Sequence, residues 1–159
     1  MRKREYHHFP KNDVEFQQKY SFWADLPYLV KTFAGMNDKS GAFQLVTPKG
    51  ETLKTKRSIS VEIAEANIDF KPLTNDNLNH VLEDIDDSGL LDFRIVLLYS
   101  YLDKDYKRVP YRKDTFLVRC YISDGILTLM IHLHDGPGHT RPDEIANTIV
   151  DELGKGQTN

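Results

Sequence analysis

The residues of this chain best suited to chemistry lie in the segment HLHDGPGHTRPDE, which holds His132, His134 and His139 with Asp135 among them. Residues two apart on a strand point the same way at roughly 6.6 Å, so His132 and His134 can reach one ion. Gly136-Pro137-Gly138 lets the chain fold back and bring His139 in as a third ligand. A divalent metal held by His132, His134 and His139 would supply a bound water as nucleophile, with Asp135 or Asp143 to orient it, in a hydrolase or lyase. The plainer reading keeps Leu127, Leu129, Ile131 and Leu133 as the core face and leaves both strand histidines on the solvent or groove face. H-x-H is too short a pattern to decide between them.

The same junction admits an anion, because free N–H groups at a helix N-terminus attract negative charge. His139 and Arg141 would add donors there. The segment is neither a Walker loop nor a dinucleotide fingerprint, since G-x-x-x-x-G-K and G-x-G-x-x-G are both missing.

A second constellation runs from Tyr99 to Tyr121. Tyr99, Tyr101, Tyr106, Tyr111 and Tyr121 alternate with Lys104, Lys107, Arg108, Arg112, Lys113 and Arg119. Aromatic faces stack bases while cations meet phosphates, so Lys107, Arg108, Tyr111 and Arg112 form a candidate surface for RNA or single-stranded nucleic acid. Tyr99 and Tyr101 share alternation with Phe93, Ile95 and Leu97, which assigns them to the core instead. A third cluster, Glu83, Asp84, Asp86 and Asp87, sits at a helix C-terminus, where the macrodipole disfavours negative charge. It lacks the spacing of an EF-hand loop, and it calls for a basic partner from Arg2–Arg4 or from residues 104–113. Cys120, the single cysteine, lies in the apolar run TFLVRCYI and reads as a small buried hydrophobe.

The elements that must position these groups follow from periodicity. Residues 1–12 read as a flexible basic arm, with a helix start at Asn12 or Asp13. Phe22, Leu26, Leu29, Val30 and Phe33 recur at helical spacing, and Pro27 calls for a break, with Asp25 capping a fresh helix that stops at Gly35. Strands Ala42–Val46 and Glu51–Lys56 flank the turn TPKG, and the apolar set changes phase near Ala64, which predicts a bulge, a bend or the strand's end. Thr74 caps a helix with Leu78, Val81, Leu82 and Ile85 inward, closed by Gly89. The strand Leu91–Leu102, a long polar turn through Pro110 and the strand Thr115–Ile122 come next. Ser123-Asp124-Gly125 then turns the chain into the strand Ile126–His134. The last helix has Thr140 as its cap, Pro142 in its first turn and Ile145, Ile149 and Leu153 as its buried stripe.

This order predicts an α+β fold: a mostly antiparallel sheet of about five to six strands with two or three helices packed on one face. With 159 residues and 40% hydrophobic content, a single domain over 13–154 is expected, followed by a disordered tail at 155–159. No apolar run approaches the roughly 20 residues of a membrane helix, and no signal-like segment follows the N-terminus, so a cytoplasmic location without membrane association is expected. A formal charge of −3 gives no global attraction to nucleic acid. The sequence thus describes a small binding or protein-interaction module, whose partner is an unidentified protein or a second copy. Metal-dependent hydrolysis and nucleic-acid binding are its alternatives.

Overall fold

The computed structural model describes residues 9–10, 14–22, 24–46, 49–50, 52–64, 70–85 and 89–155. Most of the expected basic arm, Thr47 and Pro48 of the first turn, Ala66 and Ile68, Asp86 and Asp87, and residues 156–159 lie outside them. The elements are β1 (Phe16–Ser21), α1 (Leu26–Met36), β2 (Ser40–Val46), β3 (Thr52–Ala64), β4 (Lys71–Pro72), α2 (Leu78–Glu83), β5 (Leu90–Leu102), β6 (Arg108–Ser123), β7 (Ile126–Asp135) and α3 (Pro142–Lys155). The strands form one antiparallel sheet in the order β1-β7-β6-β5-β3-β2, with the short β4 beside β3. It curls into a half-barrel. Among the described residues no helix is long and apolar enough to cross a membrane.

Alternation along the long strands decides what is buried. Phe93, Ile95 and Leu97 of β5, Phe116 and Val118 of β6, and Leu129 and Ile131 of β7 join Leu29, Val30 and Phe33 of α1 and Ile145 and Ile149 of α3 in one core. Phe33 stacks on Phe93 with ring centroids 3.8 Å apart. Cys120 is buried in the same cluster, and its burial pushes the thiol well above its ordinary range.

Several local signals act as expected. Asp25 caps α1 by accepting from the Tyr28 N–H at 3.0 Å, with Pro27 in the first turn. β3 ends at Ala64, and the β6–β7 hairpin turns through Asp124 and Gly125, both at positive φ. Other elements differ from the expectation. Residues 16–21 are an edge strand rather than part of a helix, because β7 supplies a partner ladder that local periodicity cannot reveal. α1 runs through Gly35 and ends when the Asn37 N–H reaches the Ala34 carbonyl; Asp38, at φ 67°, makes the left-handed turn instead. Thr74 does not cap α2 directly. It exchanges bonds with Asn77, which precedes the helix. The polar turn after β5 is shorter than expected, because the Asp103 carboxylate ties down the Asp105 and Lys107 N–H groups. Pro110 therefore lies within β6, opposite Ser100 at a register shift where a missing donor is tolerated. Thr140 does not close α3 either. The Glu144 and Ile145 N–H groups bond to the Arg141 carbonyl, and the Thr140 hydroxyl meets Tyr99 and Arg57.

Candidate functional site

The residues that alternate away from the core make cross-strand rows on the other side of the sheet. One row reads Glu62, Arg94, Leu117 and His132 across β3, β5, β6 and β7. Arg94 meets Glu62 through two nearly parallel bonds of 2.9 and 2.6 Å, a planar fork that fixes both side chains. In the neighbouring row Arg119 grips Asp92 in the same way, at 2.8 and 2.9 Å. Each guanidinium also lies over a ring from a non-sheet segment: Arg94 over Phe70 at 4.8 Å and Arg119 over Phe9 at 5.3 Å. Phe70 and Phe9 thereby rise as walls beside the row.

His132 stands in that row and its Nδ1 is 2.9 Å from Glu15 Oε2. Beyond it the β6–β7 register shifts, so that Leu133 faces Phe116 and Asp135 faces Thr115, which leaves His134 as the inserted residue. Such a bulge re-aims a side chain. The two imidazole centroids end 6.2 Å apart, His132 half-buried and His134 exposed.

Two adjoining depressions occupy this surface. One, of about 340 Å³, is lined by Phe9, Pro10, Phe70, Leu117 and His132 together with Arg94 and His134. The other, of about 530 Å³, is lined by Glu62, Val96, Lys113, Thr115 and Asp135, again with Arg94 and His134. The first is predominantly aromatic and aliphatic; the second is charged. Arg94 and His134 stand on their shared boundary.

His139 is not part of this surface. It packs edge-on to Tyr99 at 5.3 Å and roughly parallel to Tyr111 at 6.4 Å, and its buried Nε2 has no hydrogen-bond partner. Tyr99 points into the core, so the third histidine sits across the sheet from His132 and His134. Among the described residues no three His, Cys, Asp or Glu side chains gather as a metal-binding group. Asp143 is paired with Arg141. The expected three-histidine arrangement is therefore not assembled.

The glycine-rich turn does hold an anion, and the anion is the chain's own. Asp114, fully buried, accepts the N–H groups of Gly138 at 2.8 Å, His139 at 2.8 Å and Thr140 at 3.4 Å, as well as the Tyr99 hydroxyl at 2.9 Å. Gly136 passes so close that a Cβ there would lie 2.3 Å from the Lys113 carbonyl oxygen. The donors expected for an external anion are thus directed at Asp114, and Arg141 turns to Asp143 and Glu144. Sequence reading missed Asp114, although its parity with Phe116, Val118 and Cys120 places it on the core side.

The aromatic and basic set divides. Tyr99 is core, and Arg119 is held by Asp92. Tyr101 and Tyr111 are half-buried and edge-to-face at 6.0 Å, with Arg112 over Tyr111 at 5.2 Å. Lys104, Lys107, Arg108, Arg112 and Lys113 are exposed around them, as is Tyr106. In the acidic set, Asp84 lies 3.8 Å from Lys71, a nearer partner than the arm or hairpin expected from sequence. Comparison with known protein families, characterised proteins and solved structures finds no match to this chain.

Proposed function

We propose that this chain is a small-ligand binding module, with its helices gathered on one face of the sheet and the ligand seated on the other. The observation that carries this reading is the pair of contiguous depressions sharing Arg94 and His134. Their sizes fall in the range of ligand sites, about 300–1,000 Å³. The apolar half suits a hydrocarbon or aromatic body, and the charged half, where Arg94 is shared with Glu62 and Lys113 and His134 stand beside Asp135, offers donors to an anionic head. The ligand class that fits both is a small amphiphilic carboxylate or phosphate. The bidentate Glu62 bond holds the Arg94 guanidinium in place before a ligand arrives, which limits the ordering cost of binding.

Decanoate and decanol test this reading with an isotope-labelled sample in solution NMR. Decanoate should give saturable shifts at the Arg94, Leu117, His132 and His134 amides, with weaker shifts for the uncharged decanol. Val96→Trp, which fills the charged depression, should abolish them. Unchanged spectra, or shifts centred on α1 and α3, would count against the module.

A second reading has its own observation. The exposed cations around the half-buried Tyr101 and Tyr111 favour single-stranded nucleic acid at the β5–β6 hairpin end.

A further inference from the structure

The two edges of the sheet differ in chemistry. β1 carries Lys19 among its exposed residues, and the residue before it, Glu15, is bonded to His132. β2, SGAFQLV, contains no charged residue and no proline. Its register against β3 runs from Ser40↔Ser58 to Val46↔Thr52 without a shift, whereas both β5–β6 and β6–β7 are interrupted. Ser40, Gly41, Ala42 and Gln44 are exposed, so no described segment covers them. Sheets protect a free edge with charge, proline, a bulge or a covering segment. Within Ser40–Val46 β2 has none of these devices among the described residues; the bulge at Asp38 and Lys39 opposite Ile59, with the charged Lys39 turned to Glu152, comes just before the strand and leaves Ser40–Val46 open.

The direction of its free groups is also fixed. The Phe43 carbonyl accepts from the Thr55 hydroxyl on β3, so the Phe43 backbone faces inward. The N–H and C=O of one antiparallel strand residue point to the same side, and the side alternates. The Ala42 and Gln44 amides therefore face outward.

We propose that β2 is a homodimerisation edge, at which two copies of this chain pair β2 to β2, antiparallel, about a two-fold axis through Phe43. That axis uses the whole strand. Ser40 lies opposite Val46 of the second copy and Ala42 opposite Gln44, all residues of the outward-facing set, so each pair exchanges two backbone hydrogen bonds. Phe43, half-buried against Tyr99 with Arg57 over its ring, meets its own counterpart and extends the core across the axis. A second copy is the occupant favoured by charge, since an uncharged strand pairs with itself without like-charge repulsion, and the same symmetry at β1 would set Lys19 near Lys19. The contact is isologous and closes on itself, so assembly stops at the dimer. A seven-residue ladder is smaller than the roughly 800 Å² per partner of a stable interface, which makes the dimer reversible.

Sedimentation velocity of the full chain across a concentration series tests this. The wild type should move from 18.4 kDa toward twice that mass as concentration rises. Gln44→Pro removes an outward donor without touching the β2–β3 ladder, and Ala42→Lys adds charge to the edge. Both should stay monomeric at every concentration, with circular dichroism showing that each is folded. Chains carrying Ala42→Cys and Gln44→Cys should form a disulfide-linked heterodimer when mixed. A wild type that remains monomeric up to its solubility limit, a dimer that survives both edge variants, or open-ended growth through β1 and β2 overturns the proposal.

Discussion

The phenol of Tyr99 lies in the core with its hydroxyl between Asp114 and Thr140. Burial pushes its pKa far above the ordinary 10.0, and the Asp114 carboxylate adds to this, while the Thr140 hydrogen bond and Arg57 act in the other direction. Buried Cys120 is raised above its ordinary 9.0 in the same sense, with Asp92 contributing, and so is Tyr20. All three groups are neutral when protonated, and folding raises their pKa. Their contribution is fully present below the unfolded values and is lost as pH rises toward the folded ones, because the unfolded chain then binds fewer protons. Stability should therefore fall from about pH 9, and more steeply above about pH 10, with Tyr99 and Cys120 each adding up to about 1.4 kcal/mol per pH unit and the partly exposed Tyr20 much less. Urea melts between pH 7 and pH 11 read this directly. Tyr99→Phe should lower stability at pH 7, because Asp114 loses a donor, yet flatten the alkaline decline. An unchanged slope in that variant would show that the decline has another origin.

At the scale of elements, the turn between β7 and α3 shows why one glycine is required and another is not. Gly136 combines φ 107° with a Cβ position 2.3 Å from the Lys113 carbonyl, whereas Gly35 has nothing within 4 Å of its Cβ and lies in α1. Gly136→Ala should destabilise by at least about 2 kcal/mol through backbone strain and steric overlap. Gly35→Ala should stabilise by about 0.5 kcal/mol through helix propensity. Parallel urea melts at neutral pH test both signs. The sequence made the β6–β7 hairpin, the Asp25 cap and the buried stripe of α3 legible, because turn chemistry, capping and periodicity are local. β1 was read as helical and Thr140 as a cap, because their partners, β7 and the Tyr99–Arg57 pair, are remote in sequence. The candidate site was half legible for the same reason. Alternation put His132 and His134 on one side, but Arg94, Glu62 and the Phe9 and Phe70 walls come together only through strand order. The destination of His139 depended on Asp114, which only the folded sheet brings beneath the turn.

For the whole molecule, a formal charge of −3 conceals an uneven distribution. Lys104, Lys107, Arg108, Arg112 and Lys113 cluster around one hairpin end, and Lys113 also lines the charged half of the groove. Acidic side chains on the sheet are held by arginine forks, Asp92 by Arg119 and Glu62, which lines the same half of the groove as Lys113, by Arg94. A local positive field can therefore act on an anion despite the negative total, and it decays within about a Debye length. If single strands bind here, each phosphate neutralised should contribute about −0.7 to the slope of log affinity against log salt. Replacing Arg108 and Arg112 together with Gln should make the slope less steep by about 1.4 and weaken binding to all sequences alike, since phosphate contacts read no bases. Fluorescence anisotropy of a labelled oligonucleotide over a salt series measures both quantities. Binding that shows no salt dependence, or that survives the double substitution unchanged, would place any nucleic-acid contact away from this hairpin and leave its cations to draw anionic ligands toward the groove.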